Sequence, residues 1–157
     1  MTRNNVTRLL EQRNIKHQVY ELPAEKLGAE KSAELLGVSL ELVFKTIVVK
    51  RERRGKPILA MVPGSGEVDL KAVATAVGEK KVFLTTQKEA EALTKLQAGG
   101  ISPLALLNQG FQVVIDEYAQ VFDEIHVSGG QRGLNIRLPV GDFVKLTGAT
   151  FAPICRI

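Results

Sequence analysis

The chain has 157 residues, 45% hydrophobic and 24% charged, and we expect residues 1–157 to form one domain that buries about two-thirds of its unfolded surface. Cys155 is the only cysteine, which excludes an internal disulfide, and no Cys/His spacing typical of a zinc site occurs, so we expect no metal. The 21 basic and 17 acidic residues permit a polyanionic partner without requiring one.

The sequence carries no recognisable targeting segment. Its longest apolar runs are far shorter than the roughly 20 residues that a membrane-spanning helix needs. Residues 1–5 are polar and lack the apolar core of a signal peptide. We therefore expect a cytoplasmic protein without a membrane partner.

The first predicted element is a helix, because Val6, Leu9 and Leu10 recur at helical spacing after Asn4 and Asn5, either of which can cap its first turn. The next elements alternate irregularly between strands and helices, with glycines or prolines at several boundaries. They are a strand over 17–22, a helix over 29–36 ended by Gly37, strands over 44–50 and 57–62, a helix over 69–77 ended by Gly78, a strand over 80–84, a helix over 86–96 capped by Thr85 or Thr86, strands over 111–115, 124–128 and 134–138, a helix over 139–146 and a closing strand over 151–155.

This order predicts an α/β or α+β domain with a mixed sheet, because hairpins are combined with intervening helices and regular βαβ alternation is missing. A dinucleotide-binding fold is disfavoured, since no GxGxxG motif follows a strand. Nucleotide hydrolysis is disfavoured as well, because no GxxxxGK[ST] motif occurs.

Lys45 is the second residue of the apolar strand predicted over 44–50. Period-two alternation places it on the same face as Ile47 and Val49, and Thr46 on the opposite face. An unpaired buried ammonium is costly, so the side chain must either extend to solvent from the strand end or point into a polar cavity.

The turn over residues 99–103 contains two glycines followed by a Ser-Pro pair. Gly99 and Gly100 allow backbone geometries closed to other residues, and Pro103 restricts Ser102 to extended conformations. Exposed amides in such a corner can bind a carbonyl oxygen or a sugar hydroxyl. Tight connections also use paired glycines for steric reasons alone, so both interpretations stay open.

Three further segments could contact anions. Residues 128–133 are either a glycine-rich hairpin turn or an anion-binding loop that includes Arg132. The basic residues of 50–56 surround Gly55 and predict an exposed hairpin tip, which is either a solvated turn or a contact for phosphates. A looser lysine group over 80–95 is typical of a solvated helix face. Aromatic residues are sparse and not interleaved with these charges, which disfavours a stacking surface for single strands.

Familiar catalytic sets are missing from the sequence. His17 and His126 fall within predicted strands, and no acidic residue is placed to orient His126 as a base. Cys155 lies in an apolar C-terminal segment, as expected of a small buried hydrophobe rather than a nucleophile. The adjacent carboxylates at 116–117 and 123–124 would point to opposite sides of a strand. No protein nucleophile or general acid–base pair is predicted.

The segments at 44–46, 99–103 and 128–133, in this order, resemble the YbaK family, also called the ProX or prolyl-tRNA-synthetase-associated editing-domain family. The similarity covers nearly the whole chain and includes 17–21 and 69–71. Members of the family hydrolyse the ester of mischarged tRNA, and this motif set looks like that of the Cys-tRNA(Pro) deacylases. The resemblance implies a mixed, barrel-like β-sheet surrounded by helices, and no cofactor.

The resemblance also implies which residues form the site. Lys45 corresponds to the family's essential lysine and Gly99 to a backbone contact near the scissile ester, so both are predicted to be catalytic. The predicted substrate-binding residues are Tyr20, Phe44, Thr46, Pro63, Gly100, Ile101, Ser102, Pro103, Ser128, Gly129 and Arg132.

The missing nucleophile agrees with the family's substrate-assisted chemistry, in which the thiol of the esterified cysteine attacks its own carbonyl. The expected partner is a mischarged aminoacyl-tRNA(Pro), with prolyl-tRNA synthetase as a second candidate. Two alternatives stay open, which are removal of alanine from tRNA(Pro) and a non-catalytic module that binds tRNA or a synthetase. After Leu104, many relatives carry a glycine and a basic run where this chain has uncharged residues at 105–109.

Overall fold

A computed structural model describes residues 3–156 of the protein. Within this range the helices are α1 (Asn5–Gln12), α2 (Ala29–Leu36), α3 (Leu70–Val77), α4 (Gln87–Thr94) and α5 (Val140–Thr147), with short 3-10 helices at Leu40–Leu42, Pro103–Ala105 and Glu117–Val121. The strands are β1 (Gln18–Glu21), β2 (Phe44–Arg51), β3 (Ile58–Pro63), β4 (Glu67–Val68), β5 (Val82–Leu84), β6 (Gln112–Asp116), β7 (Glu124–Ser128), β8 (Leu134–Pro139), β9 (Thr150–Ala152) and β10 (Cys155–Arg156).

The helix boundaries follow the capping chemistry that the sequence predicts. The Asn4 side chain accepts a hydrogen bond from the Thr7 amide, and the Thr7 hydroxyl accepts one from the Asn4 amide, which closes a capping box on α1. Thr86 and Glu89 form the same box on α4. Gly37 ends α2 in the left-handed conformation, at a φ of 69°. These predicted caps are confirmed.

The central sheet has five strands in the order β5-β2-β3-β6-β9. β2 pairs antiparallel with β3 and β5, whereas β3–β6 and β6–β9 are parallel pairs. A second sheet of three antiparallel strands has the order β1-β8-β7. The predicted mixed α/β architecture is confirmed.

The expectation of a barrel-like sheet was wrong. The described strands form three separate sheets of five, three and two strands, and none of the three closes on itself. The two larger sheets meet at an isolated bridge between Val43 and His126 instead of through a continuous ladder. At one edge, β5 keeps an unpaired side, where Phe83 and Leu84 are exposed.

The predicted closing strand over 151–155 is divided in two. Pro153 has no N–H to donate, and the Asp116 carboxylate accepts hydrogen bonds from the amides of Ile154 and Cys155, each 3.0 Å long. β9 therefore pairs with β6 and β10 pairs with β4, in a different sheet.

Both faces of the five-stranded sheet are buried, which explains why its strands are apolar on both sides. One face packs against α1, α5 and the three-stranded sheet, through buried residues such as Leu10, Leu59 and Phe143. The other face packs against α3, where Val73 contacts a cluster that includes Val49. The start of β2 and the end of β7 come together at the rim where the two larger sheets meet.

Candidate active site

A cavity of about 270 Å³ lies at the rim between the two larger sheets. Its lining comes from four parts of the chain, which are the segment 22–32, residues 43–46 at the start of β2, the loop 98–101, and the facing ends of β7 and β8. Small-molecule sites usually enclose about 300–1,000 Å³. The cavity is therefore close to the lower end of this range and can hold a small molecule or the end of a larger one.

Lys45 lines this cavity and is half-buried. The alternation predicted for its strand holds, since Phe44 and Val48 enter one core cluster while Ile47 and Val49 belong to the other. Among the described residues, the Lys45 ammonium has no hydrogen bond and no ion pair. The cation is thus held at a strand end without a counter-charge.

The Lys45 ammonium also acts on Cys155. Burial and, next, the Asp116 carboxylate raise the pKa of the Cys155 thiol, while the Lys45 charge lowers it by a smaller amount. Because the raising effects dominate, this thiol stays protonated at neutral pH. Cys155 is a half-buried packing residue, in line with the expectation from the sequence.

The loop from residue 98 to residue 101 contributes backbone groups. Gly99 is exposed, lines the cavity and has a φ of 91°, and its N–H donates to no described residue. The Gly100 N–H is already used, because it donates to the Gln97 carbonyl at 2.8 Å. Arg132 fixes the loop from the opposite side by donating from Nε to the Ala98 carbonyl at 2.6 Å.

The three-stranded sheet presents a row of polar side chains toward the site. In its register, Tyr20 lies opposite Asn135 and Asn135 lies opposite Ser128, so the three residues share one face. Asn135 and Ser128 line the cavity, while the Tyr20 hydroxyl donates to Gln18 at 2.8 Å. The opposite face of this sheet packs into the core through Val127 and Ile136.

The predicted site residues divide into two groups in the structure. Those that line the cavity are Phe44, Lys45, Thr46, Gly99, Ile101 and Ser128. The others surround it or lie behind it, and they are Tyr20, Pro63, Gly100, Ser102, Pro103, Gly129 and Arg132.

Several members of the second group have evident structural contacts. Pro63 lies opposite Phe44 in the β2–β3 pair and lines a different groove. Ser102 is fully buried, and its Oγ accepts from the Leu104 amide at 3.2 Å, so that Pro103 begins the following 3-10 helix. A Cβ on Gly129 would clash with Leu134 at 2.7 Å.

No catalytic dyad is formed in the described part of the cavity. The Ser128 hydroxyl accepts only from the Gly130 amide at 3.3 Å, and the His126 ring is bonded to Asn135 instead. No group of three or more metal-ligating side chains occurs within residues 3–156. The cavity offers a cation, backbone and side-chain donors and hydroxyl groups, which can position an ester without attacking it.

Comparison with known proteins assigns the family. The sequence model of the aminoacyl-tRNA editing domain matches residues 24–146. The chain belongs to the aminoacyl-tRNA editing domain family. It is 38% identical over 154 residues to EbsC of Enterococcus faecalis, which is named as a proposed Cys-tRNA(Pro)/Cys-tRNA(Cys) deacylase. The aligned region covers 97% of this chain and 93% of EbsC.

Solved structures share the fold of this editing domain. A proposed trans-editing enzyme for prolyl tRNA synthetase is 26% identical and superimposes with a TM-score of 0.81, covering 99% of this chain and 100% of the other. The hypothetical protein APE2540 is 22% identical with a TM-score of 0.87, covers 98% and 100% of the two chains, and supports the fold alone.

Sequence reasoning missed several residues of the editing-domain cavity. The segment 22–32 supplies Glu25 and the first turn of α2, whose N-cap Gly28 has no side chain to cap the helix. Asn135 was missed too, although a polar residue between Leu134 and Ile136 in an apolar strand could have signalled it. The segment 22–32 carried no comparable signal, because it becomes a wall only through long-range packing.

The basic hairpin tip is partly neutralised in this editing domain. Glu79 accepts from Arg51 at 3.0 Å and from Arg53 at 2.8 Å, and these two arginines hold the pKa of the Glu79 carboxyl below its usual range. Lys56 lies 4.9 Å from the centre of the Phe111 ring. These contacts favour the solvated turn over a phosphate contact, and the tip lies at the opposite end of β2 from Lys45.

The chain around Leu104 and the uncharged segment that follows it contribute to packing. Leu104 and Leu106 are buried in the main core cluster, beside the 3-10 helix that Pro103 begins. Among the described residues, no helix is long and apolar enough to span a bilayer.

Proposed function

We propose that this protein is an aminoacyl-tRNA deacylase that hydrolyses the ester of Cys-tRNA(Pro) in trans. The observation that carries the proposal is that one small cavity of an editing domain holds both the Lys45 ammonium and the Gly99 amide, neither of which bonds to another described residue. Both groups match what an aminoacyl ester at the 3′ end of a tRNA presents, which is a carbonyl oxygen close to anionic phosphates.

The charges in the cavity are complementary to such a substrate. Lys45 would contact the terminal phosphate or an ester oxygen, and the uncapped first turn of α2 adds positive potential beside it. Glu25 contributes a carboxylate that has no ion pair among the described residues. Its position fits the α-ammonium of an aminoacyl group, which a free fatty or acetyl ester would lack.

The chemistry follows from what the cavity provides. Because no described side chain of the cavity is activated as a nucleophile, the cysteine thiol of the substrate attacks its own carbonyl carbon. A carbon–sulfur bond forms, the bond from the carbonyl carbon to the ribose oxygen breaks, and the thiol proton passes to that oxygen. The resulting cyclic thioester is then hydrolysed by water. The Gly99 amide would stabilise the negative charge on the carbonyl oxygen during the attack.

The preference for cysteine is supported by the name of EbsC and by the small cavity. That name includes both Cys-tRNA(Pro) and Cys-tRNA(Cys), so the choice of tRNA needs a source outside the acyl pocket. We assign it to association with prolyl-tRNA synthetase, in keeping with the solved relative described as acting for that synthetase. Since tRNA is charged in the cytoplasm, the protein would act there.

The test is deacylation of Cys-tRNA(Pro), Cys-tRNA(Cys), Ala-tRNA(Pro) and Pro-tRNA(Pro) by the wild-type protein, Lys45→Ala and Lys50→Ala. Lys50 is the matched control, because it lies on the same strand but pairs with Glu89 at 2.6 Å. We expect the wild-type protein to release cysteine from its tRNA selectively. The deacylation rate should fall about 100-fold or more in Lys45→Ala and stay at the wild-type value in Lys50→Ala.

Other outcomes would separate the alternatives. Faster hydrolysis of Ala-tRNA(Pro) would assign the protein to alanine removal. Binding of tRNA without hydrolysis of any ester would indicate a non-catalytic module. Replacing the acyl cysteine by serine tests the chemical step, since a protein-assisted hydrolysis would retain activity on the serine ester whereas thiol attack would not.

A further inference from the structure

His126 is a buried titratable residue that the proposed chemistry leaves unused. Its side chain is buried to 1% exposure at the junction of the two larger sheets. Its Nδ1 lies 2.8 Å from Oδ1 of Asn135, and the Tyr20 ring packs against the imidazole with ring centres 5.4 Å apart. Its Nε2 is buried and has no partner among the described residues.

This arrangement selects one imidazole tautomer. If Nε2 carried the proton, a buried N–H donor would have no acceptor, which costs about 1–3 kcal/mol. With the proton on Nδ1, the ring donates to Oδ1 of Asn135 and leaves only a lone pair unsatisfied at Nε2. Burial, the largest effect, lowers the pKa of His126, so the ring is neutral near pH 7.

The tautomer in turn fixes the amide of Asn135. Because Oδ1 accepts from the imidazole, Nδ2 is the amide atom that is left to bind another group, and it donates to no described residue. Asn135 lines the cavity, next to Ser128 across the β7–β8 pair. A reversed amide would place Nδ2 against the Nδ1–H donor, and the hydrogen bond would be lost.

We propose that Asn135 donates a hydrogen bond from Nδ2 to an oxygen of the aminoacyl ester, and that His126 is the positioning residue that holds the amide in this orientation. The proposal rests on the proposed function, because it names a further contact to the same substrate. A carboxylate at this position would present an acceptor and a negative charge to the ester oxygen, whereas the amide presents a donor without charge.

The charged groups around His126 leave this assignment intact. Arg137 and Glu124 lie on β8 and β7 and form an ion pair with each other at 3.1 Å. Their effects on the pKa of His126 oppose one another, since Arg137 lowers it and Glu124 raises it. From β1, the Tyr20 ring faces the imidazole. No carboxylate within hydrogen-bond distance of Nε2 is found among the described residues.

The first test is spectroscopic and does not depend on activity. Long-range ¹H–¹⁵N NMR of the full chain at pH 7.5 should show His126 as the Nδ1–H tautomer. Addition of a non-hydrolysable probe, cysteine joined by an amide to 3′-amino-3′-deoxyadenosine, should shift the side-chain amide signals of Asn135. An Nε2–H tautomer, an averaged mixture of tautomers, or unshifted Asn135 signals at saturating probe would overturn the proposal.

The second test is a mutant cycle on kcat/KM with Asn135→Asp, His126→Leu and the double variant. Asn135→Asp should lose about tenfold or more and His126→Leu about threefold to tenfold, while the double variant should lose little more than Asn135→Asp alone. His17→Leu is the control, because that ring bonds only to the Ile15 carbonyl, at 2.7 Å, and should match the wild type.

Additive losses in the cycle would show that His126 acts through packing alone and would overturn its positioning role. Failure of the proposed function has a different signature, in which the wild-type protein neither binds the probe nor hydrolyses any aminoacyl ester. Binding of the probe by the wild type with unshifted Asn135 signals would overturn only the inference about Asn135.

Discussion

Gly99→Ala tests whether the backbone at this position takes part in the reaction. Gly99 has a φ of 91°, where an L side chain is strained by roughly 1–2 kcal/mol. An added Cβ would also lie 3.3 Å from Cα of Lys26 and 3.5 Å from Cγ of Arg132. The first of these contacts is tight, so the loop must move by a few tenths of an ångström to admit the methyl group.

The strain and the movement have separate consequences. We expect the free energy of unfolding to fall by about 1–2 kcal/mol, which lowers Tm by roughly 2–8 °C for a chain of this size. The variant keeps the N–H of residue 99 but moves it out of line with the developing oxyanion, and complete loss of such a donor, about 100-fold to 1,000-fold in kcat, sets the upper limit of the effect. Because the proposed contact strengthens in the transition state, kcat should fall more than KM rises.

Gly78→Ala is the matched control. Gly78 has a φ of 74° at the end of α3, and nothing lies within 4 Å of an added Cβ. A similar backbone strain therefore acts at a residue that does not line the cavity, and this variant should lose comparable stability with normal kcat. The assay is single-turnover deacylation of Cys-tRNA(Pro) at a temperature where circular dichroism shows both variants folded. Equal activity in the two variants would refute the reasoning that catalysis depends on this placement of the Gly99 amide.

Two further predictions concern charge. Because its carboxylate is proposed to bind the α-ammonium, Glu25→Gln should raise KM for Cys-tRNA(Pro) about threefold to tenfold with little change in kcat, and an unchanged KM would contradict that contact. Glu34→Gln is the control, because Glu34 lies in the last turn of α2, pairs with Lys31 at 3.7 Å and does not line the cavity. The second prediction is for stability. Burial lowers the pKa of His126 from its ordinary value of 6.5, so the unfolded chain binds this proton first as the pH falls. The free energy of unfolding should therefore decline below about pH 7, by at most about 1.4 kcal/mol per pH unit. The decline should stop once the pH has passed below the folded-state pKa. Urea unfolding at pH 7.5 and 5.5 should show a smaller decline in His126→Leu, and equal declines in the two proteins would contradict this reasoning.

Local structure could be predicted from the sequence because it depends on neighbouring residues. The caps at Asn4 and Thr86 and the helix end at Gly37 are each satisfied by atoms within a few positions along the chain. The same holds for the alternation that places Lys45 and Val49 on one face of β2. The division of the closing strand was missed for two reasons: Pro153 is a local strand breaker that the prediction passed over, and the Asp116 contact lies 38 positions before Ile154 and is not visible in the sequence.

The sequence by itself determined the element types, the mixed α/β class and the motifs that identify the family. Only the tertiary structure decided which residues share the cavity, because that depends on strand register and on contacts between distant segments. Register places Asn135 between Tyr20 and Ser128, and the junction at Val43 brings His126 beside the site. Tertiary packing also set the sheets apart instead of closing them into a barrel, since closure depends on edge pairing that no local pattern encodes.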